Sequence, residues 1–263
     1  MKLSSSAFRL YRALQIADPR NLIWNAPFTR QPDSLPLPPL GLVFDVAGTT
    51  RLAHFLDGGE KAASSIRSAL NRHGGNIQDA GPVLDFGCGC GRVIRHWRDS
   101  SVPVHGTDYN PRLIDWYVRQ LPFAKFGVNS LEPPLSYADG QFGLIYALSV
   151  FTHLTAAHSD AWLTEVRRVL RPAGWLLFST HGESYLPRLS RAEANEFRAG
   201  KLVERFRGAA GSNLCSTFHP PTYLRQMTRD WNLIEIVPEG AMGNPHQDLV
   251  ILRRPLPGEP QQK

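Results

Sequence analysis

The chain has 263 residues, of which 42 % are hydrophobic and 20 % charged, and its formal net charge is +6. This length suits one large α/β domain, or one domain with a cap. Basic residues are scattered, which argues against a nucleic-acid partner and fits a mild preference for anionic substrates. The longest apolar run, residues 142–151, is about half of the ~20 residues that a membrane helix needs, so we expect no membrane partner.

The three cysteines are Cys88, Cys90 and Cys215. An odd count without framework spacing predicts reduced thiols and a cytoplasmic location. Cys88 and Cys90 could be metal ligands, but small residues that fill a crowded glycine loop explain them better. His153 and His158 are five residues apart, which misaligns them on a helix, so we expect no metal site.

The N-terminal residues 1–17 predict an amphipathic helix with its apolar side chains on one face. A transit peptide is the alternative, since the stretch lacks acids, but Arg9 and Arg12 interrupt any secretory core. Five prolines then predict an extended connector over residues 25–40. Residues 41–50 fit a loop or a short strand.

Residues 60–72 have apolar side chains at helical spacing and end at a plausible glycine cap, 73–75. They lead directly into the most informative stretch of the chain. We therefore divide the protein into an N-terminal helical cap and Pro-rich connector, residues 1–75, and a main domain that spans residues 76–254.

The main domain opens with a predicted buried strand, residues 82–86, which is followed by Gly87, Gly89 and Gly91 alternating with small residues. A helix is predicted over residues 91–99. Strand, glycine turn and helix in this order form a nucleotide-binding element, because glycines permit positive φ and let a ligand lie against bare backbone. A dinucleotide fingerprint would need a third glycine where Arg92 stands, which disfavours a nicotinamide-dependent dehydrogenase.

The chain then alternates between apolar strands and amphipathic helices. Strands are predicted over 103–108, 124–128, 141–148 and 175–179, and helices over 110–120 and 159–170. Such alternation predicts a parallel sheet with right-handed crossovers, in which ligands bind beyond the carboxyl ends of the strands. Asp108 ends the second strand, where an acid can accept both ribose hydroxyls of an adenosine.

Residues 182–218 break this alternation, because their apolar residues are too sparse for a core strand. We expect an insertion over the site, with a helix near 190–199. A helix over 222–230 and two late antiparallel strands, 232–238 and 247–253, complete the domain. The Pro- and Gln-rich tail, residues 255–263, is predicted to be disordered.

Three segments resemble motifs of the class I S-adenosylmethionine-dependent methyltransferases: Asp85-Phe86-Gly87-Cys88-Gly89-Cys90-Gly91, Gly106-Thr107-Asp108 and Leu170-Arg171-Pro172-Ala173-Gly174. The resemblance covers about residues 80–180. The third motif usually carries two glycines in this family, whereas Ala173 stands first here. The resemblance implies a Rossmann-like seven-stranded sheet, mostly parallel with an antiparallel C-terminal strand and helices on both faces. It also implies S-adenosylmethionine as cofactor.

The resemblance assigns cofactor-binding roles to ten residues: Asp85, Gly87, Cys88, Gly89, Gly91, Asp108, Tyr109, Asn129, Ser130 and Leu148. Asp85 would reach the ammonium of the donor and Asp108 the ribose, although Asp108 also fits a helix N-cap. Tyr109 would stack on adenine or simply pack. Asn129 stands where the family commonly has an acid, and its amide oxygen can still accept from the adenine amine.

His153 follows the fourth strand and is the candidate general base, because the ordinary pKa of histidine suits proton removal near neutrality. A packed, hydrogen-bonded strut is the alternative role. Residues past the fifth strand and in the C-terminal part are further candidates for an acceptor pocket: His181, Glu183, Tyr185, His219, His246 and Asp248.

The sequence therefore predicts a methyltransferase that acts on a small-molecule or sugar-like acceptor. A non-catalytic protein that binds the donor as a partner or regulatory subunit is the alternative. Methylation of nucleic acid is disfavoured by the scattered basic residues.

Overall fold

Nine short strands form the framework of the protein, which we describe from a computed structural model over residues 5–28, 35–243 and 245–259. They are β1 (Val83–Phe86), β2 (Val104–Asp108), β3 (Lys125–Val128), β4 (Phe142–Ala147), β5 (Leu170–Thr180), β6 (Val203–Arg205), β7 (Ser216–Phe218), β8 (Asn232–Ala241) and β9 (Gln247–Arg253). Seven of them form one sheet in the order β3-β2-β1-β4-β5-β9-β8, and β6 pairs with β7 separately. Only β9 runs antiparallel to its neighbours in the large sheet, as predicted.

Nine α-helices surround the sheet in the described ranges: α1 (Ser5–Ala17), α2 (Arg20–Asn25), α3 (Leu40–Ala47), α4 (Leu52–Arg72), α5 (Ile77–Ala80), α6 (Pro111–Gln120), α7 (Ala156–Val169), α8 (Arg191–Arg198) and α9 (Pro221–Met227). Short 3-10 turns lie at Ala26–Phe28, Ile94–Trp97, Phe151–His153, Glu183–Arg188 and Arg207–Ala209. None of the described helices is both long enough and apolar enough to cross a membrane.

Helices cover both faces of the sheet. The packing of β4 against both layers explains why its sequence is almost entirely apolar. Leu144 and Tyr146 pack in the core cluster that contains the apolar face of α4. Ile145 and Ala147 point the other way, into the cluster that contains α7. Successive side chains of a strand alternate between faces, so covering both sides of the sheet buries both sets of β4 side chains.

The chain that follows the glycine loop differs from the prediction. A helix was expected over residues 91–99, but the structure has turns and then only the 3-10 turn Ile94–Trp97. The left-handed backbone of the loop continues to Gly91, and the chain turns through residue 93 before any regular structure begins. The 3-10 turn is followed by turn residues up to Asp99, so no α-helix forms between the glycine loop and Ser100.

The N-terminal part is helical where the structure describes it. α1 agrees with the prediction, although residues 1–4 lie outside the described ranges. The segment 41–50, which fitted a loop or a strand, is mostly the helix α3, which ends at Gly48 in the left-handed conformation. Most of the predicted extended connector is either the 3-10 turn at Ala26–Phe28, residues without regular structure, or the undescribed stretch 29–34.

The insertion has more order than its composition predicted. Its helix α8 begins with a capping box between Ser190 and Glu193, close to the predicted boundary. No strand of the insertion joins the core sheet, as expected, but β6 and β7 pair with each other in a separate two-stranded sheet that was not predicted. The insertion also has its own small core, formed by Tyr185, Phe197, Val203 and Phe218. Residues 260–263 of the predicted disordered tail lie outside the described part of the chain.

Candidate active site

The glycine loop after β1 adopts the left-handed conformation at all three predicted positions. The φ angles of Gly87, Gly89 and Gly91 are +77°, +55° and +68°. A Cβ atom on Gly87 would lie 2.3 Å from the side chain of Val150, and one on Gly91 would lie 2.5 Å from the ring of Tyr117. Glycine is therefore required here both by the backbone conformation and by the close packing.

Cys88 and Cys90 lie between these glycines, and both are buried. They pack in a cluster with residues of α3, α4 and α6. Burial raises the pKa of both thiols, so they stay protonated and unreactive near neutral pH. In residues 5–28, 35–243 and 245–259, no group of three or more His, Cys, Asp or Glu side chains is placed to hold a metal ion.

The carboxylate of Asp108 joins the end of β2 to the glycine loop. Its Oδ2 atom accepts a hydrogen bond from the Gly89 N–H at 2.9 Å, and its Oδ1 atom accepts one from the Asn110 N–H at 2.9 Å. Burial raises the pKa of Asp108, and these backbone hydrogen bonds act in the opposite direction. The N-cap of α6 is Asn110, whose side chain accepts from Arg112 N–H. Each Asp108 oxygen keeps a second lone pair with which to accept from a ligand hydroxyl.

Asp85 is buried at the carboxyl half of β1 and holds an unsatisfied oxygen. Its side chain hydrogen-bonds Tyr146, but Oδ2 has no hydrogen-bond partner among the described residues. Burial raises the pKa of Asp85 to about 8, and the nearby charge of Asp108 adds to this effect. A buried carboxyl group with an open acceptor oxygen suits an incoming ammonium group. These residues therefore fit an S-adenosylmethionine molecule placed along the loop.

The predicted adenine side lies after β3. The Asn129 N–H donates to the Asp108 carbonyl at 3.1 Å, so Asn129 lies beside the residue that is predicted to bind the ribose. The Asn129 Oδ1 atom accepts from the Thr107 hydroxyl at 2.7 Å, and its Nδ2 donates to the Ser130 carbonyl at 2.7 Å. Tyr109 directly follows Asp108 in the chain and is 46 % exposed.

The turn after β4 approaches the glycine loop from the other side. Leu148 packs against the core cluster that contains α4. Ser149 has a φ of +58°, which is uncommon for a residue with a side chain. Val150 then packs on Gly87. The structure thus brings the loop, the end of β2 and the turn after β4 to the same edge of the sheet, where parallel sheets bind ligands.

His153 lies in the 3-10 turn after β4, and its Nδ1 atom is 2.7 Å from the carbonyl oxygen of Cys215. A carbonyl can only accept, so Nδ1 carries the proton and Nε2 is the proton-accepting nitrogen of the neutral ring. Burial lowers the pKa of His153, which keeps the ring uncharged at neutral pH. This geometry accommodates both roles foreseen for His153, the strut through Nδ1 and the base through Nε2.

Two of the other candidates join His153 in one cluster. The His181 ring lies 6.4 Å from that of His153 and 4.2 Å from that of Tyr185, measured between centroids. Buried His219 borders this cluster, because its N–H donates to the His181 carbonyl at 2.8 Å. The side chains of the other three candidates lie outside it. Glu183 and His246 are exposed, whereas Asp248 accepts from the Glu239 N–H. His219 is buried, with its ring 6.3 Å from that of Tyr223.

Gln247 is a site residue that the sequence did not indicate. It is buried at the start of β9, and its side chain hydrogen-bonds Ser149, Ser179, His181 and Tyr185. β9 is antiparallel, so its first residue lies at the carboxyl ends of the parallel strands. One sequence feature could have indicated Gln247: it is a polar residue at the start of a predicted buried strand.

Comparison with known proteins agrees with this geometry. A family model described as a methyltransferase domain matches residues 59–234. The chain is 32 % identical over 110 residues to a malonyl-[acyl-carrier protein] O-methyltransferase of Enterobacter lignolyticus (strain SCF1), covering 42 % of this chain and 43 % of that protein. It is 31 % identical over 144 residues to the protein of the same name from Pseudescherichia vulneris, covering 49 % and 55 %. The chain thus spans about half the length of these curated relatives.

A solved structure shows the same fold. The crystal structure of a SAM-dependent methyltransferase from Methanosarcina mazei superposes with a TM-score of 0.51 at 20 % identity, covering 66 % of this chain and 92 % of that one. The family model covers well over half of the chain and includes the glycine loop, Asp108 and His153. The chain therefore belongs to the methyltransferase domain family, and its sheet has the fold of a solved SAM-dependent methyltransferase.

Proposed function

We propose that the enzyme transfers a methyl group from S-adenosylmethionine to an oxygen or nitrogen atom of a small-molecule or sugar-like acceptor by direct in-line displacement. The bound donor supplies a methyl group that its positive sulfur already activates. The main task of the protein is then to align the acceptor atom with that group and to exclude water.

Two contacts of the insertion support an enclosed acceptor site. The Asn213 Nδ2 atom in the insertion donates to the carbonyl of Asp45 in α3 at 3.1 Å. The insertion also approaches the turn after β4, because the Gly211 N–H donates to the His153 carbonyl at 2.8 Å. The insertion and the N-terminal cap thus meet above the carboxyl ends of the strands. An enclosure of this kind suits a modest acceptor better than a large polymer.

The proposal keeps the division into a cap, residues 1–75, and a catalytic domain, residues 76–254, with the insertion 182–218. The side chain of Val46 in α3 packs over Gly89, so the cap lies directly on the glycine loop. In this division the cap and the insertion select the acceptor, while the domain beneath them holds the donor.

For the donor, we assign the backbone of Gly87, Cys88, Gly89 and Gly91 to the amino-acid and ribose portions. Asp85 receives the ammonium at its open oxygen, and Asp108 accepts the ribose hydroxyls. The adenine and sulfur ends of the donor would meet the remaining predicted residues: Tyr109, Asn129, Ser130 and Leu148. Support for these roles comes from the hydrogen bonds and the burial described above.

For the acceptor, we assign His153 as the general base. Its Nδ1 proton is committed to Cys215, which directs the ring and leaves Nε2 to take a proton from an acceptor hydroxyl or ammonium. The uncharged state of the ring also avoids repulsion with the positive sulfur of the donor.

A carboxyl oxygen is the second acceptor that we consider, since two relatives at 31–32 % identity are named malonyl-[acyl-carrier protein] O-methyltransferases. A carboxylate is ionised near neutral pH and needs no general base. The requirement for His153 therefore distinguishes the two acceptor classes.

The test is a methyl-transfer assay with radiolabelled S-adenosylmethionine and four probes: a hexose panel, a primary-amine panel, a malonyl thioester and the same thioester on an acyl carrier protein. We expect label transfer to one of the first three, and loss of transfer in Asp108→Ala but not in Asp115→Asn, which changes an exposed acid of α6. Transfer only to the carrier-bound thioester would contradict a small-molecule acceptor.

A further inference from the structure

The buried amide of Gln247 connects three separate parts of the chain. Its Oε1 atom accepts from the hydroxyls of Ser149, at 2.9 Å, and Ser179, at 2.6 Å. Its Nε2 atom lies 3.3 Å from the Nε2 atom of His181. The side chain also hydrogen-bonds Tyr185 in the insertion. The turn after β4, the end of β5 and the insertion therefore share one buried group.

The hydrogen-bond directions around Gln247 fix the state of His181. The His181 Nδ1 atom is 3.1 Å from the Thr217 carbonyl, which can only accept, so Nδ1 carries a proton. Because Gln247 directs its N–H group at His181 Nε2, that nitrogen must be the acceptor. The His181 ring is consequently neutral, with its proton on Nδ1.

The opposite orientation of the amide would change the charge of the ring. If Oε1 of Gln247 faced His181, Nε2 would also need a proton, and the ring would be a cation. The two serine hydroxyls would then face the amide N–H groups, and Ser179 already accepts from the Ser149 N–H at 2.7 Å. The observed orientation satisfies every group with a neutral ring, whereas the flipped one buries a positive charge.

We propose that Gln247 is a positioning residue for methyl transfer, which holds the Nε2 side of the neutral His181 ring and holds the turn at Ser149 against the insertion. This inference rests on the proposed function for the identity of the reaction. The inference assigns different roles to the neighbouring histidines His153 and His181. The Nε2 atom of His181 is occupied by Gln247, so His181 supports the wall of the acceptor site, and His153 is the ring that can take the proton.

The turn that contains Ser149 is in contact with the glycine loop, because the next residue, Val150, packs on Gly87. Gln247 therefore holds a turn that contacts the donor-binding loop. A neutral wall next to the positive sulfur avoids charge repulsion, and a fixed turn keeps donor and acceptor aligned. Loss of the amide would therefore affect alignment while leaving the donor contacts of Asp108 in place.

The groups that face His181 come from several elements: His153 after β4, Tyr185 and Arg188 in the insertion, and His219 after β7. The Arg188 guanidinium lies 4.6 Å from the centre of the Tyr185 ring. None of these neighbours is an acid, and burial and His153 lower the pKa of His181 to about 3. The carboxylate of Asp248 in β9 lies against Gly182, the residue after His181. A carboxylate at position 247 would face the His181 ring directly, in place of the Gln247 amide.

The experiment is a histidine side-chain NMR titration of the full-length protein bound to S-adenosylhomocysteine. In the wild type we expect His181 to remain the neutral Nδ1–H form from about pH 5.5 to 8. In Gln247→Glu the new carboxylate still accepts from both serines but pairs with a protonated ring, so His181 should become an imidazolium at about pH 6. Gln226→Glu, on the exposed side of α9, is the control with the same charge change and should leave His181 neutral.

Two outcomes would overturn the inference: a wild-type His181 that titrates like a free histidine, or a Gln247→Glu protein whose His181 ring does not change. Gln247→Met, which keeps the volume without the amide, provides a second variant if the charged one does not fold. In that variant the tautomer preference of His181 should weaken while Asp108 still binds the donor. Failure of the wild type to bind S-adenosylhomocysteine by calorimetry would instead count against the proposed function.

Discussion

The Oδ2 atom of Asp108 accepts a hydrogen bond from the backbone N–H of Gly89 across 2.9 Å, so the end of β2 holds the middle of the glycine loop. Asp108→Ala removes this contact together with the proposed ribose acceptor. We expect donor affinity to fall by about 10- to 100-fold, the cost of losing a charged hydrogen-bond acceptor. Calorimetry with S-adenosylmethionine measures it, with Asp115→Asn as the surface control. An unchanged Kd in the folded variant would refute this role.

Asp85 should couple donor binding to pH. Its pKa of about 8 means that the carboxyl is mostly protonated in the donor-free protein at pH 7. An ammonium group beside it favours the carboxylate, so binding should release up to about one proton. Calorimetry in two buffers with different ionisation enthalpies counts these protons. Asp85→Asn should remove the release and weaken binding, and the same proton count in both proteins would contradict the assignment.

The Asp85 carboxyl group should also make the free energy of unfolding depend on pH. The pKa of Asp85 is raised in the folded protein above the ~3.9 of an unfolded chain, so the folded state binds the proton more tightly. The free energy of unfolding should therefore fall as the pH rises from about 4 to about 8. Denaturant titrations of the donor-free protein at several pH values should show a smaller decrease for Asp85→Asn than for the wild type. Equal pH slopes would contradict a raised pKa.

His153→Asn separates the two roles of that histidine. An asparagine amide can donate to the Cys215 carbonyl as Nδ1 does, but it offers no base. For a hydroxyl or ammonium acceptor we expect turnover to fall by about 100-fold or more with unchanged donor affinity. Steady-state kinetics beside calorimetry provides both numbers. Turnover close to that of the wild type, with such an acceptor, would leave His153 as a strut.

Ala173, near the start of β5, adopts a φ of +58° at a position where the family usually has glycine. A left-handed conformation costs an alanine roughly 1–2 kcal/mol, and the greater freedom of unfolded glycine offsets part of that gain. Ala173→Gly should therefore raise the free energy of unfolding by about 0.5–1 kcal/mol. Ala157→Gly, at an exposed position of α7, is the matched control and should lower it by about 1 kcal/mol. Destabilisation by both changes would exclude strain at Ala173.

The sheet was predictable from the sequence because its strands are short apolar runs bounded by turn residues. β4 is buried on both faces, and the glycine spacing before Arg92 identified the loop. The helix α3 was not predictable, since Leu40–Ala47 is short and apolar except at Gly41 and Asp45, a pattern that also fits a buried strand. The strands of the insertion were also missed. Each has only three residues, too few for an alternating pattern.

The donor-binding residues were predictable from the sequence, whereas Gln247 on the acceptor side was not. Gly87, Asp85 and Asp108 lie close together in sequence and form motifs with a known spacing. Gln247 lies 98 residues from Ser149 and 66 from His181, and a neutral amide has no chemical signature of its own. Only the placement of antiparallel β9 beside β5 brings it to the site. The acceptor side of the molecule is assembled by topology, which a local pattern does not encode.

The most direct test of the central claim is a crystal structure with S-adenosylhomocysteine bound. We predict that the ribose hydroxyls lie on the Asp108 carboxylate, that the ammonium meets Asp85, and that the sulfur faces the turn at Ser149. An adenosine seated elsewhere would contradict the account, for example in the groove of about 350 Å³ between α7 and α9 beside Tyr223.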